Sequence, residues 1–411
     1  MMVPPRSLPS LLALPALAFL SLSASALPHA RAASSTAPLK LAVRINSYGI
    51  KSIVAADRAR IQALQAGGSS SVDATNAVTG YTADIGVGSP ATNYTLLVDT
   101  GSSNTWIGAN KPYQKTTTSH DTGNQFYVPY GSDGQDYVSG EEYTDTVTLN
   151  SDLVISNQSI GVGSASSSVT SGLDGLDGIL GVGPVDLTQD TVNNTYEVAT
   201  VTDNLYTQKT ISSEVLGVFF APASSDDSGG ELTFGGYDAS KITGDINYVS
   251  ITSTSPANTY WGIDQSISYG DTVILAETAG IVDTGTTFIL IASDAFDKYQ
   301  SATGATFDES TEMLKISSDQ YDQLSSLYFT TGGVTYELTP NAQIWPRSLN
   351  TDIRGTTDSI YLIIGSTGSS SGSGLDFVNG YCFLERFYSV FDTTNSRVGF
   401  ATTAYTDATT N

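Results

Sequence analysis

Two copies of one short motif carry the residues of this chain that are best suited to chemistry. DTGS at residues 99–102 and DTGT at residues 283–286 each follow an apolar run. A single Asp-Thr-Gly has little weight, because Asp and Gly are frequent at turns for backbone reasons. Two copies indicate an internal duplication in which each half supplies one carboxylate. Two carboxylates held face to face cannot both ionise cheaply and share one proton, an arrangement suited to acid–base catalysis.

The rest of the chain predicts the elements that position these acids. From residue 79 onward, short alternating runs are broken by Gly, Asn or Pro, a pattern typical of antiparallel strands. The clearest runs cover residues 81–87, 95–98, 143–149, 216–220, 231–234 and 246–251. The helical stretches are few and short: 200–209, 293–302 with an N-cap at Ser293-Asp294, and 318–327. We predict an all-β fold with few short helices, built as an N-terminal lobe (72–245) and a C-terminal lobe (246–411).

The N terminus has the pattern of a secretory signal. Arg6 precedes an apolar stretch at residues 11–22, and small residues follow at 24–26. We therefore predict a signal peptide at residues 1–26 and a secreted protein, with no later segment long enough to span a bilayer. Three Asn-X-Ser/Thr sequons fit that compartment and are candidate glycosylation sites: Asn93, Asn157 and Asn193.

Charge is distributed unevenly along the chain. The whole chain has 41 acidic and 17 basic residues, yet residues 27–71 hold six basic residues against one acid, Asp57. The strong acidity of the remainder argues against nucleic-acid binding. It is expected of a protein that works in acid, where protonation relieves self-repulsion. The basic segment is either a solvated linker or, as we favour, a detachable propeptide that neutralises an acidic cleft, with Lys40 and Lys51 as candidates to cover the acids.

Cysteine and histidine usage argues against other chemistries. Cys382 is the only cysteine and lies in an apolar run, so no disulfide can form within the chain and a buried, inert thiol is expected. A mechanism based on histidine would rest on His120, which lies in a polar loop. A zinc site of Cys and His is therefore not expected.

Four further stretches give the duplication a family likeness. They are LVDTGSSNTW at residues 97–106, DGILGVGP at 177–184, IVDTGTT at 281–287 and RFYSVFD at 386–392. With them the chain, from about residue 79 to its C terminus, resembles the pepsin-type aspartic proteases, and closely their secreted fungal, polyporopepsin-like branch. The resemblance implies a bilobal β fold with a deep cleft, one catalytic aspartate from each lobe, and a hairpin flap that closes over the peptide.

The resemblance also implies a role for each matching residue of the two loops. Asp99 and Asp283 would be the catalytic pair. Six neighbours would support them: Thr100, Gly101, Ser102, Thr284, Gly285 and Thr286. Of these, the threonine after each aspartate would cross-link the two loops, and the hydroxyl residue after each glycine would hydrogen-bond the outer carboxylate oxygen. Glycine would be required because a side chain there would block the approach of the carboxylates.

The resemblance also implies which residues contact substrate. The residues implied to contact substrate are Tyr130, Gly131, Ser132, Leu97, Ile179 and Thr287. Tyr130 matches the flap tyrosine, and Trp106 matches the residue that supports it. The flap at residues 130–140 is about three residues longer than the family pattern, so Tyr137 competes for the tyrosine role. Asn379 stands where the family has an apolar residue that packs under Asp283.

The resemblance predicts a secreted aspartic endopeptidase that is active in acid. A water between the two aspartates would attack the peptide bond while the pair shares one proton. The expected partners are polypeptide substrates and the chain's own propeptide as intramolecular inhibitor. No cofactor, metal, nucleic acid or membrane is expected, and the protein would be a monomer. Two alternatives stay open: a catalytically inactive pepsin-like binding or inhibitor protein, and a glycosidase that uses two acids.

Overall fold

The computed structural model describes residues 37–45, 53–65, 79–130, 136–164, 175–225 and 229–411. The predicted signal peptide at residues 1–26 lies outside the described residues. The described chain is rich in strands and has few short helices, which confirms the predicted fold class. Its α-helices are α1 (Ile53–Gln65), α2 (Val201–Thr207), α3 (Ser293–Thr303), α4 (Ser318–Tyr321) and α5 (Tyr381–Leu384). Short 3-10 turns cover Val185–Thr188, Ala257–Thr259, Asn341–Gln343 and Arg347–Leu349.

The strands are numbered in chain order. The first twelve are β1 (Ala37–Ile45), β2 (Thr79–Val87), β3 (Thr92–Asp99), β4 (Thr105–Ile107), β5 (His120–Tyr130), β6 (Asp136–Asn150), β7 (Leu153–Gly163), β8 (Gly178–Gly181), β9 (Val215–Phe220), β10 (Gly229–Phe234), β11 (Asn247–Ser250) and β12 (Gly262–Tyr269). The others are β13 (Thr272–Val282), β14 (Ile289–Ile291), β15 (Thr306–Asp308), β16 (Met313–Ile316), β17 (Leu327–Thr331), β18 (Val334–Leu338), β19 (Ile360–Leu362), β20 (Ile364–Ser366), β21 (Phe377–Asn379), β22 (Phe387–Asp392) and β23 (Arg397–Thr402).

Among the described residues these strands form two large sheets and a small one. The larger sheet has the order β11-β23-β22-β9-β10-β1-β2-β3-β8-β4-β7-β6-β5, and the next has the order β18-β17-β12-β13-β21-β14-β20. The strands β15, β16 and β19 form the third sheet. The late strands β11, β22 and β23 thus join the sheet of the first half, and the lobe boundary near residue 245 stays a prediction.

Both aspartate motifs are positioned by equivalent strands in these sheets. Asp99 ends β3, which pairs in parallel with β8, and Asp283 directly follows β13, which pairs in parallel with β21. The residues before the aspartates, Val98 and Val282, are buried in one large apolar cluster. Each carboxylate is therefore held at the end of a strand that is fixed by core packing.

The described parts of the basic segment, residues 37–45 and 53–65, fold onto the rest of the described chain. Strand β1 lies between β10 and β2, with Leu39 and Leu41 buried and the intervening Lys40 exposed, as the alternation of a half-buried strand requires. The next element, α1, was not predicted. Its buried residues recur at helical spacing: Ile53, Val54, Asp57, Arg60, Ile61 and Leu64. These described parts of the segment are therefore not a solvated linker in this form of the protein.

Candidate active site

The first aspartate loop supplies donors to both oxygens of its carboxylate. Asp99 is fully buried. The backbone N–H of Gly101 donates to its Oδ1 at 2.9 Å, and the hydroxyl of Ser102 donates to its Oδ2 at 2.5 Å. The carbonyl of Asp99 accepts from the N–H of Val182 at 2.8 Å, which ties the loop to the turn after β8.

The second loop repeats this arrangement. Asp283 is also fully buried. The N–H of Gly285 donates to its Oδ1 at 3.0 Å, and the hydroxyl of Thr286 donates to its Oδ2 at 2.6 Å. The N–H of Asp283 donates to the carbonyl of Asn379 at 3.1 Å. The two loops therefore present their carboxylates with the same hydrogen bonds.

The threonines after the aspartates cross-link the loops. The N–H of Thr100 donates to Oγ1 of Thr284 at 2.9 Å, and the N–H of Thr284 donates to Oγ1 of Thr100 at 2.9 Å. Each hydroxyl also donates to the carbonyl of the residue before the opposite aspartate. The hydroxyl of Thr100 donates to the carbonyl of Val282 at 3.2 Å, and the hydroxyl of Thr284 donates to the carbonyl of Val98 at 3.0 Å. This network holds the two carboxylates in fixed positions relative to each other.

Both loop glycines are required by close approach. A Cβ on Gly101 would lie 2.8 Å from Oδ1 of Asp283, and a Cβ on Gly285 would lie 2.6 Å from Oδ1 of Asp99. Contacts this short between a carbon and a carboxylate oxygen are repulsive. Each glycine thus makes room for the carboxylate of the opposite loop.

Arg60 of α1 bridges the two carboxylates. Its Nη2 donates to Oδ1 of Asp99 at 2.5 Å and to Oδ1 of Asp283 at 2.9 Å, and its Nε donates to Oδ2 of Asp283 at 2.6 Å. All three side chains have no solvent exposure. A planar guanidinium presents several N–H groups in a rigid fork, which suits two neighbouring carboxylates.

The expectation that a lysine covers the acids is wrong for Lys40. Its exposed ammonium lies on β1 and pairs with the buried carboxylate of Glu231 at 2.5 Å. Lys51 lies outside the described residues. The sequence contained Arg60 as one of six basic residues, and the apolar residues of α1 at helical spacing were the signal that could have singled it out.

The electrostatics of the bridged carboxylates are unequal. Burial, together with the charge of Asp283, raises the pKa of Asp99 above its ordinary value although Arg60 opposes this. Burial would also raise the pKa of Asp283, but the charge and the hydrogen bonds of Arg60 and the hydroxyl of Thr286 hold it below its ordinary value. Burial disfavours the charge of Arg60, yet the two aspartates raise its pKa. With Arg60 in place, Asp99 is therefore the member of the pair that takes up a proton first as the pH falls.

A second side chain of α1 anchors the helix beside the second loop. The carboxyl group of Asp57 is buried and accepts from the N–H of Thr287 at 3.1 Å and from the N–H of Phe288 at 2.8 Å. Burial raises the pKa of Asp57 to about 7, although both N–H groups and Arg60 lower it. Sequence reasoning treated Asp57 only as the one acid of a basic segment, and nothing in its local sequence predicted this contact.

The residues expected to line the cleft of the first lobe form one buried cluster. Leu97, Ile179 and Trp106 pack together with Val128 and Val138 of the hairpin β5–β6. Trp106 therefore lies against the base of the predicted flap. Gly131 and Ser132 lie outside the described residues.

The hairpin register separates the two candidate flap tyrosines. Tyr130 ends β5 opposite Asp136, two residues after buried Val128, whereas Tyr137 lies opposite Pro129. The ring of Tyr137 stacks on the exposed ring of Tyr127, with centroids 5.5 Å apart. By the backbone register of the hairpin, position 130 lies on the face opposite to that of position 137.

Asn379 is accommodated by a polar partner. Its side chain exchanges two hydrogen bonds with that of Gln265, at 3.0 and 3.3 Å, and both amides are fully buried.

The predicted sequons have exposed asparagines at Asn93, Asn157 and Asn193. Glycosylation there stays a prediction.

Two kinds of feature are absent from the described residues. No helix in the described ranges is long and apolar enough to cross a membrane. Within the same ranges, no group of three or more His, Cys, Asp and Glu side chains is placed to hold a metal ion.

The thiol of Cys382 is buried, and burial raises its pKa well above the ordinary value.

Two β-rich lobes that bring one Asp-Thr-Gly loop each to a shared centre are the architecture of an aspartic endopeptidase. Residues 80–403 match the family described as eukaryotic aspartyl protease, and the chain belongs to that family. Polyporopepsin of Irpex lacteus is 60% identical over 345 residues, covering 83% of this chain and 99% of that protein. Cathepsin E of Rattus norvegicus is 30% identical over 348 residues, covering 78% and 79%. The crystal structure of aspartic proteinase from Irpex lacteus has a TM-score of 0.78 at 53% identity, over 92% of this chain and 100% of that one.

Proposed function

We propose that this aspartic endopeptidase is secreted, works in acid through a water activated by Asp99 and Asp283, and is made as a precursor held inactive by residues 27–71. One observation carries the proposal. Two buried carboxylates, on loops with matching hydrogen bonds, face each other closely enough to share one guanidinium. Once that cation leaves, the same geometry suits a pair of carboxylates that shares one proton.

The chemistry follows from the donors of the two loops. In the singly protonated pair, the ionised carboxylate takes a proton from a bound water while the protonated one donates to the peptide carbonyl, which gives a tetrahedral gem-diol. The same groups then protonate the leaving nitrogen. The N–H and hydroxyl donors on each carboxylate stabilise its ionised form, since hydrogen bonds to the charged state favour it. Activity belongs to the pair, whose two apparent pKa values are not those of either residue.

Latency at neutral pH follows from Arg60. Its guanidinium fills the place where water and the scissile peptide must lie, and it is neutralised by the ionised pair. The pKa of Asp283 is held below its ordinary value. The ion pair is therefore stable at neutral pH and is lost as the pH falls through that lowered pKa, when the carboxylate is protonated. Acid thus releases the segment.

The same helix indicates where substrate binds. The N–H groups of Thr287 and Phe288 donate to Asp57 in the precursor, and removal of α1 leaves both free for the backbone of a peptide. We assign Tyr130, with Gly131 and Ser132, to the tip of the flap, supported by Trp106. Leu97 and Ile179 would line the pocket for the side chain before the scissile bond.

An inhibitor assay tests the proposal. The secreted protein, processed in acid, is incubated with casein at about pH 3–5, the range in which one carboxylate of the pair is protonated. We expect hydrolysis that a statine-type inhibitor abolishes. Polysaccharide release is measured in parallel as a control for two-acid glycosidase activity. Absence of casein cleavage by the correctly processed protein would refute the proposal.

A further inference from the structure

A pair of buried amides lies beneath the second aspartate loop. Gln265 of β12 and Asn379 of β21 have no solvent exposure. Nδ2 of Asn379 donates to Oε1 of Gln265 at 3.0 Å, and Nε2 of Gln265 donates to Oδ1 of Asn379 at 3.3 Å. Because a buried amide without a hydrogen-bond partner lowers the stability of the fold, the orientation in which both amides are paired is strongly favoured.

The pair bridges the strand that delivers the second carboxylate. In the sheet, β13 lies between β12 and β21, and it ends one residue before Asp283. The backbone carbonyl of Asn379 accepts from the N–H of Asp283 at 3.1 Å. The residue that orients the backbone of Asp283 is therefore itself fixed, through its side chain, to the strand on the far side of β13.

The first lobe has an apolar residue at the position of Gln265. Gln265 pairs with Thr278, five residues before the aspartate of its loop. In the first lobe, the residue five positions before the aspartate is Tyr94, and it pairs with Ile85. Ile85 is fully buried in the large apolar cluster.

The first lobe also has an apolar residue at the position of Asn379. Asn379 pairs with Val282, directly before the second aspartate, and Leu180 pairs with Val98, directly before the first. Leu180 is buried in the same cluster as Ile85. Both members of the pair are thus polar in the second lobe and apolar in the first.

We propose that Gln265 and Asn379 are positioning residues that set the place of Asp283 relative to Asp99, and so the geometry in which the two carboxylates share their proton. The proposal rests on the proposed function. Apolar side chains can repack with small shifts, whereas two reciprocal hydrogen bonds fix distance and orientation together. The second lobe carries this constraint at the strand pairing that holds the backbone N–H of Asp283.

The test gives the second lobe the residues of the first. In the double variant Gln265→Ile/Asn379→Leu no buried amide is left unpaired, so the protein is expected to keep a melting temperature close to that of the wild type. We expect kcat to fall about tenfold with KM within twofold, because small misplacement of reacting groups is costly. The acid limb of the pH profile of kcat is expected to shift. Wild-type kcat and an unchanged pH profile in the folded double variant would overturn the proposal.

A near-isosteric variant keeps the test decisive if the double variant fails to fold. In Gln265→Glu the new carboxyl group, when protonated, can exchange both hydrogen bonds with Asn379, and when ionised it cannot donate. We expect wild-type kcat at low pH and a steeper loss of kcat as the pH rises. A wild-type pH profile, or a uniform loss at every pH, would contradict the proposal.

Two further variants separate this proposal from others. Gln343→Leu removes another fully buried amide of the second lobe, which bonds Tyr299, Ser325 and Leu338 rather than the aspartate loop. Gln343→Leu is expected to lower stability without moving the pH profile of kcat. If it shifts that profile as the double variant does, loss of any buried amide in this lobe has the effect, and the proposal for the pair is overturned. Asp283→Asn in the wild-type background tests the proposed function itself, so activity retained in that variant refutes the dyad and not only the pair.

Discussion

The two aspartate loops are near copies in their own hydrogen bonds and differ in what surrounds them. Each carboxylate accepts one backbone N–H and one hydroxyl, from Ser102 in the first loop and from Thr286 in the second. Arg60, however, makes one hydrogen bond to Asp99 and two to Asp283. Duplication thus gives equivalent carboxylates, and the docked helix makes them unequal.

This difference indicates which element sets the proton affinities of the two aspartates in this structure. The pKa of Asp99 is raised and that of Asp283 is lowered, and the charge and hydrogen bonds of Arg60 account for the lowering. Removal of α1 takes away the larger source of asymmetry. The mature pair is then expected to share its proton more evenly, with the remaining difference due to the residues beneath the loops.

The largest expected effect is loss of either carboxylate. Asp99→Asn and Asp283→Asn should each reduce peptide hydrolysis by at least ~10²-fold, the scale of a removed general acid or base. The two losses should be similar because one proton is shared by both. Initial rates on a peptide substrate in acid provide the measurement, with circular dichroism to verify folding. Either variant that keeps more than a tenth of wild-type turnover refutes the dyad.

A smaller loss is expected when the hydroxyl donors are removed. Ser102→Ala and Thr286→Val each delete one hydrogen bond to a charged carboxylate, worth roughly 1.5–3 kcal/mol, so kcat/KM should fall about tenfold or more. The lower limb of the pH profile should move to higher pH, since the ionised form loses a donor. Ser103→Ala is the matched control, because that hydroxyl bonds the carbonyl of Pro184 instead. Losses that differ by more than tenfold between the two loops would contradict their equivalence in the mature enzyme.

Asp57 should make docking of α1 stronger in mild acid than at neutral pH. Its pKa is about 7 in the docked helix and about 3.9 in a free chain. Because the raised pKa favours the protonated docked form, the contribution of Asp57 to docking rises as the pH falls from about 7 to about 4, above the range in which the Arg60 contacts are lost. Asp57→Asn cannot take up this proton, so the melting temperature of the wild-type precursor should rise relative to that of the variant over this pH range.

The melting temperature of the purified precursor is followed across this pH range. Asp84→Asn, which alters an exposed carboxylate on β2, is the control and should behave like the wild type. A difference in melting temperature between the wild type and Asp57→Asn that does not change with pH would show that Asp57 does not take up a proton while docked.

The smallest expected effect concerns Tyr137. Its ring stacks on Tyr127 on the exposed face of the hairpin, so Tyr137→Phe should change kcat/KM by less than about twofold, as is usual for surface changes. Tyr130→Phe should cost more if Tyr130 closes on substrate. A larger loss in Tyr137→Phe would reverse the assignment of the flap tyrosine.

Much of the fold could be predicted because it depends on local patterns. Five of the six predicted strand runs lie within observed strands, and the sixth, 246–251, contains β11. Helices form at Val201–Thr207 and Ser293–Thr303 as expected. The third helix prediction was wrong in extent: only Ser318–Tyr321 is helical, and Leu327 begins β17. The predicted N-cap was also wrong, since Ala292 holds that position and Asp294 instead accepts hydrogen bonds from Ser371.

The site itself was only partly predictable. The duplicated motif pointed to Asp99 and Asp283, since the backbone N–H and hydroxyl that bind each carboxylate come from its own loop. Arg60 and Asp57 could not be selected, because α1 is short and its stability depends on the tertiary surface on which it packs. Gln265 was missed for a related reason: it is one polar residue in an alternating strand, and only the pairing of β12, β13 and β21 brings it to Asn379.

The central claim is that one guanidinium holds two equivalent carboxylates inactive. It is tested most directly by the initial rate of peptide cleavage by purified full-length precursors, at the highest pH at which acid-processed enzyme is still active. We expect the wild-type precursor and Lys40→Ala, which loses only the peripheral pair with Glu231, to be latent. Arg60→Ala is expected to cleave at a rate within tenfold of the processed enzyme. An Arg60→Ala precursor as latent as the wild type, or a wild-type precursor as fast as the processed enzyme, would contradict the claim.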